Sequence, residues 1–191
     1  MKEIADFLFQ CNFLKKTPRT GYRFLGSGAE SVAEHSFGVM TMAYVLSKLD
    51  TEADPLKLLG LCLFHDAVEA RTGDQNYVYK RYVKVDHGKA VSHFTRDVEF
   101  GSEIAALIEE YERGDTREAK LAHDADQLDL LLVLKEKKDL GNSYAEDWIQ
   151  NLLKRLQTVP GKNLARAILD SDHNDWWFKG NEHWWVKEKK D

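Results

Sequence analysis

Four side chains with metal-binding chemistry stand along this sequence: His35, His65, Asp66 and Asp126. His65 and Asp66 are adjacent, and they follow LLGLCLF, a stretch apolar on nearly all sides. A carboxylate there is costly to bury without a partner. Glu69 lies one turn on, at i+4 from His65 and i+3 from Asp66, so it lines the same cavity. A lone buried His is most often a hydrogen-bonded core residue, and a His-Asp doublet is common. Here the doublet has company. His35 falls just inside a capped helix, and Asp126 shares a helical stripe with Ala122, Ala125, Asp129 and Val133. Two imidazoles and two carboxylates form a mixed nitrogen and oxygen set for one borderline or hard divalent cation.

Helices must bring these residues together. Ile4, Phe7, Leu8, Cys11 and Leu14 give an amphipathic helix over 3–14, followed by a basic loop over 15–30 with Lys15, Lys16, Arg19 and Arg23. Ser31 and Glu34 form a capping box, which starts a helix running from Val32 to Leu49. Asp54-Pro55 starts a third, which runs to Ala70, stops before Gly73 and carries His65 and Asp66. Residues 74–86 read as irregular. Apolar spacing places further helices around 90–98, 104–111, 116–137 and 144–156. The expected class is all-α: a single-domain bundle of six or seven helices. Its body is 1–160, and 161–191 is a C-terminal helical and aromatic extension of the same domain.

Composition narrows the function. The 191 residues are 43% hydrophobic and 31% charged, a globular balance with a formal net charge of -5. No basic surplus exists to neutralise a nucleic-acid polymer. Nothing in the sequence reads as a membrane span or a signal peptide. Cys11 and Cys62 fall on apolar stripes and read as buried small hydrophobes, so a reducing cytoplasm is expected. Register turns His123 off the Asp126 face, and His87, His93, His173 and His183 read as surface residues. Glu34 and Asp124 flank presumed ligands and point elsewhere, behind the ligands or to the surface.

The order H, HD, D on a helical chain resembles the HD phosphohydrolase superfamily. ESVAEHS (Glu30–Ser36), FHDAVEARTGD (Phe64–Asp74), DADQLD (Asp124–Asp129) and TPRTGY (Thr17–Tyr22) are similar to its 5′-deoxynucleotidase group. The likeness spans roughly residues 1–157 and leaves the Trp-rich tail unmatched. The resemblance implies metal ligands at His35, His65, Asp66 and Asp126. It implies catalytic roles for Glu69, Asp74 and Arg19, with Arg19 orienting the phosphate and Thr20 beside it. It also implies substrate binding by Asp74, Gln75, Asn76 and Tyr77, in a segment richer in Tyr and Lys than is usual for the group.

The expectation that follows is a metal-dependent phosphomonoesterase that converts deoxynucleoside 5′-monophosphates to deoxynucleoside and phosphate. Four protein ligands suit a five- or six-coordinate ion with open positions, which favours cobalt, manganese or magnesium over zinc, nickel or iron. Other readings are a hydrolase of a nucleoside triphosphate or signalling nucleotide, a nucleotide-binding module without turnover, and a purely structural metal. Polyphosphate would call for a larger basic lobe than the 15–23 loop. A dead or structural site would not need Arg19 and Glu69. The resemblance suggests a homodimer, for which the aromatic tail offers anchors.

Overall fold

The computed structural model describes residues 1–185 and is all-α. The elements are α1 (Lys2–Phe13), α2 (Tyr22–Leu25), α3 (Val32–Leu49), α4 (Pro55–Phe64), α5 (Glu69–Thr72), α6 (Tyr79–Tyr82), α7 (His87–Thr95), α8 (Gly101–Arg113), α9 (Arg117–Asp139), α10 (Ala145–Leu153) and α11 (Val159–Asp170). Short 3₁₀ turns occupy Leu14–Lys16 and Glu182–Trp185. The helical class holds, but the count exceeds six or seven. The additions α2, α5 and α6 have four residues each, too few to display a period. No strand forms among the described residues, only an isolated antiparallel bridge between Pro18 and Ser31.

α9 is the central element, packed against α3, α4, α8, α10 and α11. Leu58 and Leu61 of α4 and Leu128 and Leu131 of α9 are fully buried in the shared core. Truncating Leu128 to Ala would cost about 2–5 kcal/mol and loosen the helix that carries Asp126. A second core gathers Phe7, Val91, Phe94 and Ile108 against Ala67 and Val68, just beyond His65-Asp66. The site therefore lies between two packed clusters.

Local chemistry sets the ends that matter. Ser31 Oγ accepts the Glu34 amide at 3.2 Å, and the Glu34 carboxylate accepts the Ser31 amide at 2.6 Å, closing the expected capping box. Asp54 caps α4 through the Leu56 and Lys57 amides. α4 does not run on to Ala70. It ends at Phe64, and His65–Val68 form a tight turn before α5. The Cys62 carbonyl, which a continued helix would offer to the Asp66 amide, accepts His65 Nδ1–H at 2.8 Å. His65 and Asp66 thus stand on a turn at the end of α4 rather than on an unbroken helix.

α11 lies where the sequence predicts a C-terminal helical extension. Thr158 caps it by accepting the Gly161 amide, and Pro160 sits in its first turn. Ala165 of α11 is part of the main core. Beyond α11, Trp177 makes ring contacts with Phe178 and Trp185 at 5.5 and 5.8 Å, while Trp176 and Trp184 are exposed. The charged end of the tail, Val186–Asp191, lies outside the described residues.

Candidate metal centre

Three elements bring the four expected ligands together. α3 supplies His35, the turn after α4 supplies His65 and Asp66, and α9 supplies Asp126. His35 Nε2 lies 3.4 Å from His65 Nε2, 3.2 Å from Asp126 Oδ1 and 3.7 Å from Asp66 Oδ2. His65 Nε2 lies 3.2 Å from Asp66 Oδ2. One ligand atom each from His35, His65 and Asp126 lies within 4.8 Å of the others, close enough to share an ion.

The far side of each ring decides what the near side can do. His65 Nδ1 meets a carbonyl, which can only accept, so it carries the proton. His35 Nδ1 meets Asp129 Oδ2 at 2.7 Å. Both Nε2 atoms then point inward, facing each other and two carboxylates, and a cation held there would take the place of the proton on His35 Nε2. Burial opposes charge throughout the cluster, but the partners outweigh it. Hydrogen bonds to Asp126 and Asp129 push His35 up to about 10. The His65 imidazole holds Asp66 down to about 2, and the His35 hydrogen bond holds Asp126 below the usual carboxylate range. The cluster calls for positive charge at its centre, from a proton on one imidazole or from a cation. Converging Nε2 lone pairs and carboxylate oxygens fit a divalent cation well.

Arg19 and Glu69 border this centre. The bridge that clips the loop onto the start of α3, through Arg19 N–H to Glu30 O and Val32 N–H to Thr17 O at 2.8 Å each, brings Arg19 inward. Its Nη1 reaches Asp66 Oδ2 at 3.2 Å. Glu69 has a buried Oε2 without a hydrogen-bond partner among the described residues. Burial first, then the charges of Asp66 and Asp74, push its carboxyl up to about 9. An unpartnered buried oxygen beside such a cluster is positioned to meet a ligand.

The segment after Gly73 is largely committed to structure. Asp74 Oδ2 accepts the Thr20 amide at 2.5 Å and its hydroxyl at 3.1 Å, which ties the Arg19 loop down. Asn76 donates to Thr20 Oγ1 and accepts the Val78 and Tyr79 amides, which starts α6. Gln75 donates to the Thr72 carbonyl. The Tyr77 hydroxyl accepts from Arg155, whose guanidinium lies over the Tyr77 ring. Arg19, Asp66, Glu69, Asp74, Asp126 and Lys80 line one hollow of about 240 Å³, together with Gln75, Asn76, Tyr77 and Arg155.

Several residues sit elsewhere than expected. Asp124 is fully buried, neither at the surface nor behind a ligand. Its carboxylate accepts the Gln157 and Thr158 amides at 2.8 Å and the Thr158 hydroxyl at 2.6 Å, anchoring α11. His87, His93 and His173 are partly exposed and His183 is exposed, as expected, and His87 pairs with Glu112 at 2.8 Å. Cys11 is half-buried, whereas Cys62 is fully buried. His123 lies off the site as its register required, with Nε2 on the Tyr111 carbonyl at 2.7 Å. The sequence shows Asp129 only as a member of the α9 stripe. Its i+3 spacing from Asp126 was the available signal, but its partner comes from another helix.

An all-helical frame holding this histidine and aspartate cluster defines a class of metal-binding proteins. The chain belongs to the HD domain family, whose model matches residues 11–168. Among its relatives, the 5′-deoxynucleotidase HDDC2 of Mus musculus is 30% identical over 184 residues, covering 86% of this chain and 92% of that one. The 5′-deoxynucleotidase HDDC2 of Bos taurus is 29% identical, covering 87% and 90%. Among solved structures, a predicted metal-dependent phosphohydrolase from Magnetospirillum magnetotacticum MS-1 is similar, with a TM-score of 0.69, 25% identity and coverage of 88% and 90%. The PH0347 protein from Pyrococcus horikoshii OT3 is similar too, with a TM-score of 0.71, 27% identity and coverage of 86% and 98%.

Proposed function

We propose that this chain is a metal-dependent phosphomonoesterase, a 5′-deoxynucleotidase that releases phosphate from deoxynucleoside 5′-monophosphates. The observation that carries the reading is the convergence of His35 Nε2, His65 Nε2, Asp66 and Asp126 beside Arg19 and an unpartnered Glu69 oxygen. The names of the relatives point to the same substrate class.

His35, His65, Asp66 and Asp126 would hold the ion. Held there, a divalent cation would supply Lewis acidity for phosphate ester hydrolysis. Cobalt, manganese or magnesium suits the mixed donor set, with zinc, nickel and iron as alternatives. Arg19 presents a planar guanidinium to the phosphate oxygens and exchanges part of its contact with Asp66 for the dianion. Glu69 is the proton-handling group, because its Oε2 is free to meet water or the departing oxygen. Asp74 and Thr20 act on the phosphate through Arg19, by fixing the loop that carries it. Gln75, Asn76 and Tyr77 line the same hollow and would contact the substrate there. A homodimer in a reducing cytoplasm completes the proposal, and light scattering of the purified chain tests the dimer. No helix among the described residues is long and apolar enough to cross a membrane.

The test is phosphate release from deoxy- and ribonucleoside monophosphates. The protein is stripped of metal and resupplied with each candidate ion, with Asp66→Ala as control. Release that needs metal, favours deoxynucleotides and disappears in the control is the expected result. Absence of release with every ion, while metal and nucleotide still bind, would leave a binding module instead.

A further inference from the structure

Glu30 opens the motif ESVAEHS but takes no part in the capping box, which Ser31 and Glu34 close. It is half-buried and stands just before the Ser31 cap. Its carbonyl accepts the Arg19 amide at 2.8 Å. Its carboxyl reaches the buried pair behind a metal ligand: one donor atom each of Glu30, His35 and Asp129 lies within 4.8 Å of the others. The charges of Asp129, His35 and Arg19 all act on that carboxyl, and the Tyr22 phenol interacts with it. One residue thus touches both the loop that carries Arg19 and the Asp129–His35 contact between α9 and α3.

We infer that Glu30 is a positioning residue that couples the phosphate arm to the metal centre: its carbonyl places Arg19, and its carboxylate braces Asp129 and His35 from the loop side. The inference rests on the phosphomonoesterase reading, which makes Arg19 the phosphate arm, and adds to it a residue and a linkage. Arg19 lies between two anchors. Asp74 holds Thr20 on one side. Glu30 holds the Arg19 amide on the other, and this anchor extends to the carboxylate that orients His35.

The linkage works because the two contacts share one Cα. With a cation on Nε2, the His35 ring carries more positive charge, and its Nδ1–H becomes a stronger donor to Asp129. A second negative group beside Asp129 favours that charge. Ordering the Glu30 side chain also orders its backbone, and with it the carbonyl on which the Arg19 amide rests. Metal binding and the placement of Arg19 are then one equilibrium, so each favours the other. A Glu30 that merely solvated the loop would leave both untouched.

Titration calorimetry tests this by following manganese binding to the metal-free wild type, Glu30→Gln and Glu30→Ala. Inorganic phosphate is then titrated into each protein saturated with manganese. Both variants keep the backbone bond to Arg19 and the capping box, so both fold. Gln keeps the length and a polar group for Tyr22 but loses the charge, whereas Ala keeps neither. Glu30→Gln should weaken manganese binding about tenfold and leave phosphate binding near that of the wild type. Glu30→Ala should weaken manganese at least as much and phosphate about fivefold as well. Unchanged manganese affinity in both variants would overturn the brace. Phosphate affinity that changes in neither variant, or equally in both, would overturn the coupling. A wild type that binds manganese but no phosphate would end the inference together with the phosphomonoesterase reading. The expected pattern in a protein that hydrolyses no nucleotide would support the coupling and end the nucleotidase reading alone.

Discussion

His35 Nδ1 lies 2.7 Å from Asp129 Oδ2, and both groups are buried. The contact joins α3 to α9 and fixes which ring nitrogen of His35 faces His65, Asp66 and Asp126. Carboxylates behind metal-bound imidazoles typically matter about 10–100-fold in metal affinity. Asp129→Asn, which removes the charge and keeps the size, should weaken divalent metal binding by about that factor. Titration calorimetry on the metal-free protein measures it without reference to turnover. An unchanged affinity would mean that Asp129 only packs.

Gly38 makes that contact possible. A Cβ at this position would run into the Asp129 carboxylate. Helix propensity alone says Gly38→Ala should stabilise α3 by about 1 kcal/mol. The structure predicts the opposite sign: lower stability and weaker metal binding, because Asp129 must withdraw from His35. Denaturant melts with and without metal decide between the two.

Glu69 gives the metal-free protein a pH dependence of known sign. Its ordinary value is 4.5, and in the folded chain it is pushed up to about 9. The folded state therefore holds a proton that the unfolded chain has lost across that interval. The stability contributed by this proton is complete below 4.5, falls as the pH rises and is gone above about 9. Glu69→Gln lacks this titration. Between about pH 5 and about pH 8, metal-free wild type should lose more stability than metal-free Glu69→Gln. The remaining groups of the site are common to both proteins, so the difference isolates Glu69. Parallel pH profiles would contradict the assignment.

Asp124 and Asp126 stand two residues apart and should fail in different ways. Asp124→Ala leaves the Gln157 and Thr158 amides without their buried acceptor. A loss of about 2–4 kcal/mol in unfolding free energy is expected, with metal affinity retained in the folded fraction. Asp126→Ala should instead remove metal binding. Parallel denaturant melts and metal titrations of the two variants separate anchor from ligand.

The sequence by itself determined the helical class, the capping box at Ser31, the start at Asp54, and the identity of the cluster residues. These are local properties: a period, a cap, a pair of neighbours on a turn. His35, His65, Asp66 and Asp126 were legible because polar groups on apolar stripes stand out against the core around them. The break after Phe64 was not legible. It depends on where the His65 ring points, and that ring finds the Cys62 carbonyl only once α4 is packed. Asp124 and Asp129 look alike in DADQLD, yet one anchors α11 and the other orients His35. Their partners lie 34 and 94 residues away in the chain. Pairings across helices are set by the packing of the whole core, so only the tertiary structure could assign them.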